Sequence, residues 1–402
     1  MNINLEKMKK VLVCTLVVVA AALNSYAIAA TPTELYDNVW ELINKKYVDV
    51  SDNYQDWNKW RSKYDNKLRT PEDAYIAIDT MLSSLNDPYT RFLTPKEFAE
   101  ETSSIKGSLK GIGIQIGLKD GNLVVIEPVS DSPAEKAGLK PEDQILQING
   151  VSTKGITIEK AADQIRGEIG TSVKLLVKRK DSATPITFSV TRAEIEVKAV
   201  VTKPPIDVSV PEDIQYIRLT SFISKNASDE IHSILMNSKY KKAYILDLRS
   251  NPGGLLSNAV MISRMFLAPN DTIVSTVDRY GYKETVKSTG GRVTNKPLIV
   301  LINKGSASAS EIFSGAMKDN HRATIVGEQS FGKGLVQEIN KLPDDAGLNI
   351  TIQRYLTPSG ADIHKKGITP DVVVKLSEDN VKNKDDVQLK EAIKLIENKQ
   401  CY

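Results

Sequence analysis

Cysteine is nearly absent from the 402-residue sequence, which holds Cys14 and Cys401 and no other. Cys14 lies in a segment laid out like a secretory signal peptide. The segment is polar with Lys7, Lys9 and Lys10, then apolar through residues 11–23, and it closes on the small residues Ala27, Ala29 and Ala30. Cleavage after Ala29 would leave Cys401 alone, so a chain exported to an oxidising space folds without an internal disulfide and relies on packed cores. An uncleaved membrane anchor is the competing reading, because residues 11–30 are about as long as a bilayer span, although Asn24 and Ser25 interrupt them. Histidine is scarce as well. His232, His321 and His364 show no metal-ligand spacing, and nothing else calls for a cofactor or metal. Charge of one sign is also missing: the formal net charge is +3, and loss of residues 1–29 brings it to +1. That balance gives no footing to nucleic-acid or anionic-membrane binding.

What remains is ordinary globular composition, 41 % hydrophobic, in a chain long enough for two or three domains. No long repeat or low-complexity tract appears. From residue 31 to about 101 apolar residues fall at helical spacing, as in Leu35, Val39, Leu42 and Ile43, then Tyr75, Ile78, Met81, Leu82 and Leu85. Trp57, Trp60 and Tyr64 read as core packing for these helices. Thr94, Pro95 and Glu97 form a capped helix start.

The pattern then changes to short strands with one or two helices. Residues 111–116, 123–126 and 145–148 read as strands, 158–166 as an amphipathic helix ending at Gly167, and 173–179 with 186–190 as a hairpin. This ordered set resembles a PDZ domain, with Gly111, Ile112, Gly113 and Ile114 in place of that family's carboxylate-binding loop. In such a loop, glycines let successive N–H groups converge on a terminal carboxylate, and the next strand offers an edge to which a peptide tail adds. A simple turn is the bland reading of Gly-x-Gly alone.

Beyond residue 193 strands alternate with helices. Residues 243–248 form an apolar strand, Gly253 and Gly254 a turn, and 255–266 a helix; 298–302 form a second such strand leading into a helix at 308–318. Two β-turn-α units imply an α/β core. Ser308 opens the second helix. With Glu311 it also matches a capping box, in which serine merely satisfies a backbone N–H, and Ser306 and Ser310 are candidates for the same duty. Lys333, between Gly332 and Gly334, has no closer carboxylates in sequence than Glu328 and Glu338. An amine can activate a serine if it is held neutral, yet an ordinary lysine pKa of about 10.4 leaves only about one amine in 2500 neutral at pH 7. Burial must therefore depress it.

The run from Gly305 to Ile312, with Gly332, Lys333, Gly334, Gln337 and residues 354–358, is similar to the carboxyl-terminal processing proteases, the Ser-Lys peptidases of tail-specific type. The resemblance covers essentially the whole mature chain. It implies an α/β multidomain protein with a signal peptide at 1–29, a helical N-terminal region at 30–103, a PDZ domain at 104–192, a crotonase-like α/β protease core at 193–379, and a C-terminal helix and tail at 380–402. It also implies Ser308 as nucleophile, Lys333 as base and Gln337 as the third member, orienting the amine if residues 333–337 are extended. Gly254, with Gly253 in reserve, and the Ala309 N–H are expected to form the oxyanion hole. Arg166, at the end of the PDZ helix, is expected to contact the catalytic core and help switch it on. Substrates would be proteins or peptides with free C-termini, met in the periplasm or outside the cell. An adaptor protein and a homo-oligomer are both compatible with the sequence.

Rival readings are a PDZ-bearing binding protein without turnover, an acyl-CoA enzyme on the same core, and a Ser-His-Asp triad using His321 or His364. A phosphate-binding loop at 327–333 fits poorly, because Gly334 stands where Ser or Thr is needed and a strand follows.

Overall fold

A computed structural model describes residues 31–106, 108–119, 121–129, 131–196, 199–204, 208–377, 379–380 and 383–402. The expected signal peptide, with Cys14 and Ala29, lies outside the described residues.

The first region comprises α1 (Pro32–Lys46), α2 (Asn58–Arg61), α3 (Pro71–Ser83), β1 (Arg91–Leu93) and α4 (Pro95–Ile105). One device starts three of these helices. Thr31, Thr70 and Thr94 each cap a helix with proline at its first turn, and each closes a capping box with Glu34, Asp73 or Glu97. Trp57 and Trp60 are buried with Leu35, Val39, Ile43, Ile78 and Met81, as their spacing implied.

A β-rich unit follows: β2 (Ser108–Gly111), β3 (Ile114–Lys119), β4 (Asn122–Pro128), α5 (Pro133–Lys136), β5 (Gln144–Ile148), β6 (Val151–Ser152), α6 (Ile158–Ile165), β7 (Ser172–Lys178), β8 (Ile186–Thr191) and β9 (Ala193–Glu196). Its sheet runs β3-β4-β5-β7-β8, so β3 is an edge strand, and α6 packs beside it. β2 pairs with β9 and carries the chain in and out of this unit.

The last region holds β10 (Val200–Val201), β11 (Ile214–Leu219), α7 (Ala227–Asn237), β12 (Ala243–Asp247), α8 (Leu256–Arg264), β13 (Thr272–Asp278), β14 (Lys283–Lys287), β15 (Leu298–Ile302), α9 (Ala309–Asp319), β16 (Thr324–Gly327), β17 (Leu335–Lys341), β18 (Gly347–Leu356), β19 (Val372–Val373) and α10 (Val387–Glu397). One sheet has the order β10-β11-β12-β15-β16-β19, parallel from β11 onward. Every residue of β12 and β15 is buried, which explains their unbroken apolar runs. Burying each such Leu, Ile or Val contributes about 1.5–3 kcal/mol relative to exposure, the main source of stability for a core without disulfides.

The helical region is not a separate layer. β1 pairs antiparallel with β18, and Leu342, Ala346, Leu348 and Ile350 of the β17–β18 hairpin complete the core under α1 and α3. A boundary at residue 103 therefore divides the sequence but not the packing. β1 escaped the helical reading because three residues carry no periodicity.

Between β12 and α10 lies a buried ionic cluster. Arg249 donates to both carboxylate oxygens of Asp247 and to both of Asp386, while the Tyr216 hydroxyl donates to Asp247 at 2.7 Å. Arg249 directly precedes the turn toward Gly253 and Gly254, so the cluster ties the C-terminal helix to that turn. Asp386→Ala would leave Arg249 with a buried charge short of one partner. It is expected to lower unfolding free energy by about 3–5 kcal/mol in denaturant titration, where a surface ion pair would give about 1 kcal/mol or less.

Candidate active site

β12 and β15 are neighbours in the parallel sheet, so the turns that leave their C-terminal ends lie side by side. One turn carries Gly253 and Gly254, the other Ser308. Side-chain hydrogen bonds fasten them. The Asn303 carboxamide oxygen accepts the Ser250 N–H at 2.8 Å, and the buried Asn251 backbone carbonyl accepts the Ala307 N–H at 3.0 Å and the Ser310 hydroxyl at 3.0 Å. Ser306 donates to the Leu248 carbonyl at 2.8 Å. Ser306 and Ser310 are thus spent on joining the turns.

Ser308 differs from both. It stands at φ 55° and ψ −113°, a strained position for a residue with a β-carbon. Such strain belongs to sharp strand-to-helix turns that raise a hydroxyl clear of the sheet. Glu311 accepts the Ser308 N–H at 2.8 Å in a capping box, while the Ser308 hydroxyl donates its proton to no acceptor among the described residues. That proton is therefore left for other work.

Gly253 and Gly254 adopt φ 97° and 146°. A β-carbon on Gly253 would come within 2.6 Å of the Ala307 carbonyl oxygen and 2.9 Å of the Ala309 nitrogen, and one on Gly254 within 2.2 Å of the Ile223 nitrogen. Only glycine fits this approach. The Gly253 N–H donates to the Asn251 side chain at 2.9 Å, whereas those of Gly254 and Ala309 meet no acceptor among the described residues. That contrast separates Gly254 from its reserve.

Lys333 lies just before β17. Burial holds its amine below the ordinary lysine value; Arg91 acts the same way, and the carboxylates of Asp87, Glu101 and Glu311 oppose the shift. Its Nζ rests 4.6 Å from the centre of the Tyr89 ring. Gln337 lines the same cleft but donates to the Thr351 hydroxyl at 3.3 Å, not to the amine. The expected alternation fails because Lys333 precedes the strand and a bulge between Val336 and Gln337 resets its phase.

Ser308, Lys333, Gln337, Gly253, Gly254 and Tyr89 all face one cleft of about 360 Å³. No histidine lines it: His364 lines a neighbouring cavity, and His321 lies at the far end of α9 against Tyr402. Among the described residues no cluster of His, Cys, Asp and Glu could hold a metal ion.

Glu311 is the group that the sequence reading underestimated. Its carboxylate is wholly buried and accepts the N–H groups of Ser308 (2.8 Å), Lys333 (2.9 Å) and Gly332 (2.6 Å) and the hydroxyl of Ser330 (2.6 Å). The same Ser-x-x-Glu spacing that signalled a cap was its only sequence mark. Tyr89, Arg91, Glu101 and Asn349 also enter the cleft unannounced.

At the β-rich unit Gly111 ends β2, Ile112 is buried, Gly113 turns at φ 77° and Ile114 opens β3. Among the described residues the ion pairs of Arg166 are with Glu100 and Asp163. Arg166 lies 3.4 Å from Glu100 of α4, because the Arg192 guanidinium ties down the last carbonyls of α6 and Gly167 turns the chain away.

Residues 213–374 match the model of peptidase family S41 and residues 124–179 that of the PDZ domain. The carboxyl-terminal-processing protease of Synechocystis sp. is 42 % identical over 366 residues, covering 89 % of this chain and 85 % of that protein. The carboxy-terminal processing protease CtpA of Bacillus subtilis is 36 % identical over 371 residues, 89 % of this chain and 75 % of that one. Among solved structures, a photosystem II D1 C-terminal processing protease aligns with TM-score 0.57 at 32 % identity, covering 86 % of this chain and 94 % of that chain.

Glu311→Gln would set an amide NH2 against converging N–H donors. Expected are a fall in kcat/KM of about a hundredfold or more on an unfolded protein substrate, and a loss of about 1–3 kcal/mol in stability. Wild-type kinetics with unchanged stability would show that the bridge does not set the site.

Proposed function

Since the chain belongs to peptidase family S41, as a PDZ-bearing carboxyl-terminal-processing protease, we propose that it works as an exported Ser-Lys endopeptidase in which Ser308 is the nucleophile and Lys333 the general base. The observation that carries this reading is the Ser308 hydroxyl, which donates to no group among the described residues and stands on a strained turn that shares its cleft with a half-buried lysine and two unclaimed N–H groups. A tail would add to the edge of β3 with its carboxylate at the loop from Gly111 to Ile114. The chain behind it would enter the cleft. There Ile223, Leu255, Ile312 and Val336 suit apolar side chains.

The neutral Lys333 amine takes the Ser308 proton while Oγ bonds to the scissile carbonyl carbon. Negative charge gathers on the carbonyl oxygen, where the N–H groups of Gly254 and Ala309 stabilise it. The Lys333 ammonium then protonates the departing amide nitrogen, and the C–N bond breaks to leave an acyl-serine. Lys333 next takes a proton from water, whose oxygen attacks the ester; the proton returns to Ser308 Oγ as the new carboxylate leaves. Gln337 steadies the cleft through Thr351 and, on rotating, could accept the amine. We assign Arg166 the role of joining the PDZ helix to α4. Within this reading export depends on residues 1–29; no helix among the described residues is long and apolar enough to cross a membrane.

The test is fragment mass spectrometry of a tailed, unfolded substrate with wild type, Ser308→Ala and Lys333→Ala. Both variants are expected to lose at least about a thousandfold in kcat/KM while still binding the tail peptide. Fragments produced equally by Ser308→Ala would end the assignment and favour a binding protein.

A further inference from the structure

The N-terminal helical region supplies a residue to the site. Tyr89 sits in the loop between α3 and β1 and is held there from both sides. Asp87 accepts the Tyr89 N–H at 2.9 Å and the Thr90 hydroxyl at 2.7 Å, and the buried Thr90 hydroxyl in turn accepts the Thr351 N–H of β18 at 3.0 Å. So fixed, the Tyr89 ring forms a wall shared by the cleft and by a second cavity of about 670 Å³.

Against one face of that ring rests Lys333 Nζ, 4.6 Å from its centre. The amine makes no hydrogen bond among the described residues, to Ser308 Oγ or to any other group. An aromatic face attracts an ammonium through its quadrupole and offers little to a neutral amine. Charged groups around the amine pull in both directions: Asp87, Glu101 and Glu311 favour the ammonium, Arg91 disfavours it, and burial disfavours it most. Among these influences the ring is the one that comes from an uncharged group.

We propose that Tyr89 is a positioning residue for the general base: its ring holds the Lys333 ammonium in a resting place, and the amine leaves for Ser308 Oγ on losing its proton. Deprotonation and approach to the nucleophile are then one coupled event. The idea rests on the Ser-Lys reading above and adds to it the group that sets where activity begins on the pH scale. The sign follows from the contact. Loss of the ring's attraction destabilises the ammonium, so the neutral base appears at lower pH.

The experiment is kcat/KM against pH for the full mature chain with Tyr89, Tyr89→Phe, Tyr89→Leu and a ring-fluorinated phenylalanine at position 89, which weakens the quadrupole at nearly constant volume. The substrate is a tailed peptide without groups titrating in the range. Tyr89→Phe is expected to keep the wild-type acid limb. The leucine and fluorinated variants are expected to move it to lower pH by up to about one unit, a gain of up to about tenfold on the acid side. Should Tyr89→Leu fold poorly, the near-isosteric fluorinated variant still decides. An unmoved limb in the fluorinated protein, with Lys333→Ala inactive, overturns the Tyr89 proposal alone. Full activity in Lys333→Ala would remove the Ser-Lys reading and this proposal with it.

Discussion

The Glu311 carboxylate is the constraint on which the site depends. It lies wholly inside the protein, without an ion-pair partner among the described residues, and is held instead by three backbone N–H groups and one hydroxyl. Hydrogen bonds to a charged acceptor are roughly twice as strong as neutral ones, and a buried carboxylate that lost them would carry a large desolvation penalty. Both turns are therefore committed to it. Because its donors belong to the serine turn on one side and the lysine segment on the other, it converts a separation along the chain into a fixed separation in space. Tyr355, buried beside it, adds a hydrogen bond to the Ser308 carbonyl at 3.2 Å.

The second half of the geometry comes from the sheet. Adjacent parallel strands end together, so the glycine turn after β12 and the serine turn after β15 meet without any special device. What needs a device is their rigidity, and three polar layers supply it. Arg249 between Asp247 and Asp386 anchors the root of the glycine turn, Asn251 and Asn303 stitch the turns together, and Glu311 fastens the serine turn to the lysine segment. Each layer consists of buried polar groups that have found partners, which favours one arrangement over many. A strained Ser308 can persist because its surroundings overdetermine it.

Much of this was legible in the residues. Unbroken apolar runs at 243–248 and 298–302 announced buried strands of an α/β core, and Thr94 with Glu97 announced a helix start. From the residues alone Ser308 was one of several serines, and the family resemblance singled it out. What the structure adds is a strained turn and a hydroxyl that donates to no group among the described residues, which no sequence shows. Glu311 was visible in its lesser role, because the pattern that marks a cap is local and the N–H groups of Gly332 and Lys333 come from 21 and 22 residues away. Tyr89 and Asn349 were invisible for the same reason. They reach the cleft through the pairing of β1 with β18, a contact between segments more than 250 residues apart. Gln337 shows the opposite case, a local periodicity read across a bulge that turns its amide to Thr351.

That long-range pairing also sets what lies between the PDZ unit and the cleft. Arg166 and Asp163 of the α6 end meet Glu100 and Lys96 of α4, at 3.4 Å and 2.8 Å. These exposed ion pairs are individually weak and cannot hold the unit rigidly. The next residue of α4, Glu101, is mostly buried; it pairs with Arg91 at 2.9 Å and accepts from Asn349 at 3.1 Å inside the cleft, among the charges that surround Lys333. A weak outer contact thus adjoins a firm inner one on a single helix. A small shift of α4 would alter the field at the amine without breaking the Glu311 bridge, so the serine turn would stay in register. Coupling of this kind would act on the charge and position of the Lys333 amine and leave Ser308 and the N–H groups of Gly254 and Ala309 in place, which is the economical way to adjust a site whose other parts are locked.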